Sequence, residues 1–385
     1  MKKLVFQEFD GYSEIVEDIE TSRKYGIDYS AEKDSPEQYI HLLHPPRLEL
    51  RVSDIFQETL SAKTLRLVST DHYLPPFQAG QYIALFLEID MVRTSRPYSI
   101  SSPPNQTGYY DITVKQVEGG LVSNYLFDEI KKGHTLRSSG PAGNFYFNPL
   151  FHDRIMVCLA GGSGITPFMS MMREVVDCGL DRSIYLFYGN KSPDDVIFDD
   201  RLKSISERSE NVHYFPVIEN PGEGYKGLKG LITAELIGKR LADLSDKTFY
   251  LCGPQGFYDY CIPELEKLGI PKRKIRKEVY GTPTKISDHP GWPQEVKAED
   301  LFTIEVKGHK TLRGRAGEPL LAALEKGGLV VPSLCRSGEC SMCRVKVLSG
   351  KVFQPPGALV RKSDRQFGYV HSCVSYPLDD LEILI

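Results

Sequence analysis

Three textures of hydrophobic and polar positions follow one another along the chain. From Leu48 to Gly143 short alternating runs (Leu48–Val52, Thr64–Val68, Gln81–Leu87, Tyr110–Val117) are separated by Gly, Pro and Asn. Period-two alternation with such punctuation predicts an all-β region, a small closed barrel, with one helix around Ser123–Lys131. From Arg154 to Tyr280 apolar β-branched runs alternate with helical spacing. Strands are expected at Arg154–Ala160, Ser183–Tyr188, Asn211–Ile218 and Thr248–Leu251. Helices are expected at Phe168–Cys178, closed by Gly179, and at Asp195–Arg208, Thr233–Leu241 and Gly256–Leu268. Pro263 should kink or break the last of these. Strand–helix alternation implies a parallel sheet with helices on both faces. Thr282–Lys297, with three prolines, one tryptophan and little periodicity, reads as an interdomain linker.

Composition narrows the class. The chain has 385 residues, 41% hydrophobic and 25% charged, roughly two to three domains' worth. No apolar run approaches the roughly 18–20 residues of a membrane-spanning helix. The N-terminus turns polar after Leu4-Val5-Phe6, unlike a secretory signal. A cytoplasmic protein is expected. The net charge of −4 is too balanced to suggest a dedicated nucleic-acid binder. Through Leu50, however, 11 acidic residues face 6 basic ones. Residues 1–45, with weak helical character at Ile15–Tyr25, read as an accessory segment or an acidic docking arm.

The eight cysteines divide sharply. Cys158, Cys178, Cys252 and Cys261 are scattered through apolar segments, whereas Cys335, Cys340 and Cys343 crowd together with Cys373 further on. The spacing C-x4-C-x2-C-x29-C is the plant-type [2Fe–2S] arrangement, and a structural zinc site usually takes two close pairs instead. Gly338 permits positive φ, letting backbone N–H groups turn toward the sulfurs. With the approach Val331-Pro332-Ser333-Leu334 and the exit Tyr369-Val370-His371-Ser372, residues from about Leu301 onward resemble a plant-type ferredoxin domain. One feature departs from that family: between Ala298 and Ile385, 12 Lys and Arg face 10 Asp and Glu, so the region is not strongly acidic.

The turn after the strand at Arg154 reads Gly161-Gly162-Ser163-Gly164-Ile165-Thr166-Pro167. Glycines admit a phosphate to the backbone, Pro167 suits a first helical position, and the helix N-terminus favours an anion. Pro167 stands where a G-x-G-x-x-G motif needs its third glycine. Asn190 and Lys191 stand where a Rossmann fold places an acidic residue, so an ordinary Rossmann dehydrogenase is disfavoured.

Ala160–Pro167 and Cys252-Gly253-Pro254 together resemble the pyridine-nucleotide domain of ferredoxin–NADP reductase-like enzymes. In the barrel region, Arg96-Pro97-Tyr98-Ser99 and Gly119-Gly120-Leu121-Val122-Ser123 resemble the R-x-Y-S and G-x-x-S flavin motifs of the same family. The resemblance implies a Greek-key β-barrel flavin domain, an α/β parallel-sheet nucleotide domain and an α+β ferredoxin domain of β-grasp type. It places Arg96 on a flavin phosphate, Tyr98 and Ser99 against the isoalloxazine, and Gly119, Gly120, Val122 and Ser123 around the remaining phosphate. Gly162, Ser163 and Gly164 would take the nicotinamide nucleotide's pyrophosphate. Thr166, Cys252, Gly253 and Pro254 would flank the nicotinamide, with Asn190 and Lys191 near the ribose. Glu278 could relay a proton or be a solvated strand-end charge. Cys252 could equally be a small buried residue.

The expected boundaries are 1–45, 46–150, 151–281, a linker at 282–297, and 298–385. This order resembles reductase components of oxygenase systems. Electrons would pass from NAD(P)H through a flavin to the [2Fe–2S] cluster and on to a partner such as an oxygenase, hydroxylase or demethylase. The G-x-x-S element favours FAD over FMN. Asp194 and Asp195 favour NADH over NADPH, against Lys191. A flavin reductase acting on a small acceptor, and a redox-sensing module, are the alternatives.

Overall fold

A computed structural model describes residues 11–26, 37, 40, 41, 43, 45, 47–71, 73–278, 281 and 285–385. The chain divides into two compact units, Met1–Pro46 and Arg47–Ile385. In the first, helix α1 (Tyr12–Tyr25) buries none of its residues. It begins three residues before the expected Ile15 and is amphipathic without an enclosed face.

The second unit opens with β1 (Leu48–Thr59), β2 (Ala62–Ser69), β3 (Tyr82–Ile89), β4 (Val92–Ser99), β5 (Tyr110–Lys115) and β6 (Thr135–Ser138). Their order is β4-β3-β6-β1-β2-β5, so β6 returns to lie between β1 and β3. The ends of this order meet where Ile100 bridges Ile112, closing the barrel. Leu50, Leu65, Leu67, Ile83, Leu85 and Ile112 are fully buried inside it. Each such side chain contributes roughly 1.5–3 kcal/mol. β4 carries the Arg96–Ser99 motif and lacked a hydrophobic alternation of its own. Pro97 is tolerated because β4 ends the strand order. Helix α2 (Leu121–Asn124) runs on as a π-helical turn, Tyr125–Glu129, burying Val122, Leu126 and Ile130 four residues apart.

The next sheet is wholly parallel. Its elements are β7 (Ile155–Gly161), α3 (Thr166–Asp177), β8 (Ser183–Asn190), α4 (Asp199–Glu207), β9 (Val212–Ile218), β10 (Leu228–Lys229), α5 (Ala234–Arg240), β11 (Lys247–Cys252), α6 (Gln255–Lys267) and β12 (Ile275–Glu278). The order β10-β9-β8-β7-β11-β12 reverses direction between β7 and β11. Alternation along β7 builds two cores. Met156, Cys158 and Ala160 pack with α3 and α4, while Val157 and Leu159 pack with α5 and α6. Helices therefore cover both faces, as the pattern predicted.

Two expectations need correction. Pro263 does not break α6, which runs from Gln255 to Lys267 with Tyr258, Cys261 and Leu265 buried on either side of it. Packing of that face outweighs the one hydrogen bond a proline removes. The helix expected from Asp195 starts only at Asp199. Asp195 is drawn instead to the barrel, where Ser61 Oγ donates to its carboxylate at 2.8 Å and Lys115 forms an ion pair.

The last sheet holds β13 (Leu301–Val306), β14 (Thr311–Arg315), β15 (Arg344–Ser349), β17 (Tyr369–His371) and β19 (Leu381–Leu384) in the order β14-β13-β19-β15-β17. β13 and β19 run parallel and the other pairs antiparallel. Between β14 and β15 lies helix α7 (Leu320–Lys326), whose Leu320, Leu321 and Leu324 join Ile304, Val345 and Ile383 in the core. A small ladder pairs β16 (Val352–Phe353) with β18 (Tyr376–Pro377), and α8 (Lys362–Gln366) precedes β17. Within the expected linker, Trp292 packs on Phe353 with ring centroids 5.3 Å apart and donates from Nε1 to Val296 O. The described part of that segment is thus docked on the small β16–β18 ladder; Thr282, Pro283 and Thr284 lie outside the described residues. Among the described residues no helix is long and apolar enough to cross a membrane.

Candidate functional site

β4 ends against the nucleotide domain, and a cavity of about 400 Å³ opens there. Arg96, Pro97, Tyr98 and Ser99 form one side, Gly120, Val122 and Ser123 another. Ser163, Gly164, Thr166, Gly253 and Pro254 close it from the nucleotide domain. Burial, with the Arg336 charge nearby, lowers the Arg96 pKa to about 10, so the group stays cationic near neutrality. Its hydrogen bonds to Thr94 Oγ1 and Ser95 O, at 2.7 Å each, both use Nη1. The other guanidinium edge remains for an anion. Tyr98 is held neutral by burial. A methyl group on Gly120 would stand 2.4 Å from Ser123 Oγ, so only glycine leaves this edge open. The Ser123 hydroxyl accepts from the Val117 N–H at 3.2 Å and keeps its own proton to donate. A cationic fork, a flat aromatic face and a glycine-lined edge fit a flavin phosphate and ring system.

A second cavity, about 500 Å³, lies at the carboxyl ends of the parallel strands beside the point where strand order reverses, the usual ligand crevice of such sheets. Gly161, Gly162 and Ser163 line it with Asn190, Lys191 and Pro254. Tyr188 donates to Gly162 O at 2.8 Å and fixes the turn. Asn190 is 8% exposed, and neither its amide nitrogen nor its oxygen has a hydrogen-bond partner among the described residues. A buried amide left without partners in a cavity wall fits a polar ligand.

Cys252 ends β11 directly beneath this region and is fully buried. Burial, reinforced by the Glu278 charge, raises its pKa well above an ordinary thiol's. It is a neutral thiol, not a nucleophile. Glu278, paired in register with Cys252 across β11 and β12, is itself 6% exposed, so it is no solvated strand end. Its carbonyl accepts from the Tyr258 hydroxyl. Val279 and Tyr280 lie outside the described residues.

The four clustered cysteines come together as two pairs. The Cys340 thiol hydrogen-bonds Cys335 and lowers its pKa, and Cys373 does the same for Cys343. Among the described residues no three His, Cys, Asp or Glu side chains converge on a single ion. Two-and-two pairing suits a two-iron cluster better than one zinc ion. The N–H groups of Ser337 and Cys340 each approach Cys335 Sγ at 3.4 Å, as charge on a cluster requires. Gly338 has φ +81°, and His371 Nδ1 donates to its carbonyl at 2.8 Å. A further cavity of about 390 Å³ has Arg96, Pro97 and Tyr98 on one side and Arg336 and Cys373 on the other. The flavin motif and Cys373 thus face one cavity.

The same three parts appear in known proteins. Residues 49–147 match the oxidoreductase FAD-binding domain, 158–262 the oxidoreductase NAD-binding domain, and 304–378 the 2Fe-2S iron-sulfur cluster binding domain. The glycine betaine monooxygenase reductase subunit of Pseudomonas aeruginosa is 30% identical over 87% of this chain and 94% of its own. The chain belongs to the ferredoxin–NADP reductase-like reductases with a C-terminal [2Fe–2S] domain. NADH oxidoreductase HCR of Escherichia coli is also 30% identical, over 86% of this chain and 96% of its own. The fold is that of phthalate dioxygenase reductase, which aligns over 88% of this chain and 97% of that one with a TM-score of 0.64 at 23% identity.

The reductase binds FAD, NADH and a [2Fe–2S] cluster, and passes electrons from NAD(P)H through the flavin to the cluster. Most residues singled out in the sequence line these two cavities. Gly119 does not: it is exposed at φ +68° and shapes the turn before Gly120. Cys252 lies under the cavity floor. Lys115 was missed, although it lines both cavities and its Nζ stands 4.0 Å from where a Cβ on Gly162 would be. A lone lysine ending a strand carries no sequence signal; only the meeting of two domains gives it a role.

Proposed function

We propose that this chain is the reductase component of an oxygenase- or demethylase-type system, delivering electrons singly to a separate acceptor protein. Similarity to reductase subunits of glycine betaine monooxygenase and of the stachydrine N-demethylase of Rhizobium meliloti supports that partner class. Held in the flavin cavity, FAD would supply the conversion between a hydride's electron pair and single electrons, which a nicotinamide cannot make. The chain's own residues do the rest. Arg96 and the Gly120–Ser123 edge hold the flavin phosphates, while Tyr98 and Ser99 orient the ring. The Gly162–Gly164 turn and Lys115 hold the dinucleotide phosphates, with Asn190 and Lys191 on the ribose side. Thr166, fixed by its bond to Ser163 O at 3.1 Å, and the Gly253–Pro254 turn direct the nicotinamide toward Ser99. Buried Cys252 lies under that floor, and Glu278, its neighbour across the strand pair, faces another cavity beside Ser337 and Glu339. Cys335, Cys340, Cys343 and Cys373 would hold the cluster, in the pairs Cys335 with Cys340 and Cys343 with Cys373.

The observation that carries this reading is the sharing of cavities: nucleotide-turn residues close the flavin cavity, and the flavin motif lines another together with Cys373. The three sheets support domains at about 46–150, 151–281 and 298–385. The eight unbridged cysteines support a reducing, cytoplasmic setting. To test the function, the chain is purified anaerobically, reconstituted with iron and sulfide, and assayed with NADH. Ferricyanide and cytochrome c serve as acceptors. Cys340→Ser should abolish cluster-dependent cytochrome c reduction and spare ferricyanide reduction. Colourless protein without bound flavin or acid-labile sulfide overturns the reading, as does full cytochrome c reduction in the variant.

A further inference from the structure

A buried polar network ties the strand of the flavin motif to the loop of the cluster cysteines. Thr94 Oγ1 on β4 donates to Glu325 Oε2 on α7 at 3.0 Å. Arg336, next to Cys335, donates from Nη1 to Glu325 Oε1 at 2.7 Å and from Nη2 to Oε2 at 3.0 Å. Arg96 reaches the same Thr94 hydroxyl. Beside them, Ser95 Oγ and Ser333 Oγ lie 2.8 Å apart. Thr94, Ser95, Glu325, Ser333 and Arg336 are 7, 3, 6, 5 and 8% exposed.

Adhesion alone does not explain this arrangement. Buried ion pairs add little stability over apolar packing, and their best-attested use is to fix register. A greasy contact tolerates sliding; a bidentate carboxylate–guanidinium pair does not. The pair also reaches into the cluster loop. Arg336 has φ +54°, a conformation that non-glycine residues adopt only where their surroundings impose it. Its guanidinium is anchored outside the loop while the following N–H groups turn toward Cys335. Glu325 therefore holds the loop's shape and its placement on β4 together.

We infer that Glu325 is a positioning residue which fixes the separation and orientation of the flavin and cluster sites, an inference that rests on the site assignments proposed above. The step it serves moves one electron from NADH-reduced flavin to the oxidised cluster, and no atom or proton crosses the seam. Hydride transfer from NADH, on the far side of the flavin cavity, does not depend on it.

The test uses the full-length reconstituted protein and Glu325→Gln, which keeps volume and removes charge. In anaerobic stopped-flow, flavin reduction by NADH should stay within about twofold of the parent, while cluster reduction slows about tenfold or more, as misplacement by a fraction of an ångström allows. The cluster potential should stay or rise, because the Arg336 charge is left uncompensated beside Cys335. The slowing then runs against the driving force, and amide exchange at Thr94–Arg96 and Ser333–Ser337 should accelerate. Unchanged cluster reduction overturns the inference. So does a loss accounted for by a shifted potential, or an equal loss in both steps. If Glu325→Gln fails to hold a cluster, Ser95→Ala leaves the ion pair intact and loosens only the cross-seam contact. It should slow cluster reduction alone, and parent-like kinetics would sink the idea. A parent protein that binds neither flavin nor cluster refutes the functional reading instead, leaving the exchange measurement to judge the clasp.

Discussion

Gly164 and Cys252 touch backbone to backbone: a methyl group on Gly164 would stand 2.0 Å from the Cys252 carbonyl oxygen and 2.7 Å from the Gly253 nitrogen. The two turns at the reversal of strand order are thereby closed on each other, with the flavin cavity on one side. Gly164→Ala must push them apart. Overpacking of this kind costs about 1–3 kcal/mol. The expected result is a lower midpoint in urea unfolding, a raised KM for NADH and retained flavin. A variant with parent stability and parent KM would show that the turns separate freely.

Lys115 forms an ion pair with Asp195 and stands between the flavin and nucleotide cavities. Lys115→Met keeps the aliphatic stem and deletes the cation. A hydrogen bond to a charged group contributes about 1.5–3 kcal/mol, so KM for NADH should rise roughly ten- to hundredfold. Steady-state ferricyanide reduction measures it. An unchanged KM would confine Lys115 to its pairing with Asp195.

Much of this architecture was legible because several signals agreed. Period-two runs, strand–helix alternation and the C-x4-C-x2-C spacing each name a different sheet, and the three sheets are present. What was not legible depended on contacts between distant residues. β4 was hidden because Arg96, Pro97 and Ser99 answer to a cavity and not to a core. The helix expected from Asp195 lost its first turn to Lys115 and Ser61, 80 and 134 residues away in sequence. Pro263 misled because local hydrogen-bond loss was weighed without the packing of Cys261 and Leu265. Nothing in the sequence joins Glu325 to Arg336, since their pairing depends on the fold that also brings Thr94 beside them.

Gly338 shows how closely the cysteine loop is fitted. At φ +81° a side chain is strained, and a Cβ would stand 2.8 Å from Val374 Cγ2. Left-handed backbone costs a non-glycine residue about 1–2 kcal/mol before that contact is counted. Gly338→Val should therefore lower iron and acid-labile sulfide content while leaving bound FAD and NADH–ferricyanide turnover near the parent's. Visible absorption and iron analysis read the outcome. Full cluster occupancy would mean that the loop can reach its sulfurs by another path.

His152 makes the fold acid-sensitive. Its Nδ1 accepts from the Asn148 N–H at 3.0 Å and from the Tyr250 hydroxyl at 2.6 Å, an arrangement open only to the neutral ring. Burial, then the Arg276 charge, lowers its pKa from 6.5, against a smaller opposing pull from Asp153. The unfolded chain therefore takes up a proton that the folded one refuses. Stability from this site is complete above the unfolded value of 6.5 and declines as pH falls through it toward the folded pKa. His213, also lowered by burial, acts in the same direction, so the parent alone cannot isolate the effect. His152→Gln retains an acceptor oxygen and cannot titrate. Its Tm should fall less than the parent's between about pH 7.5 and pH 5. Parallel Tm–pH curves for the two proteins would assign the acid sensitivity elsewhere.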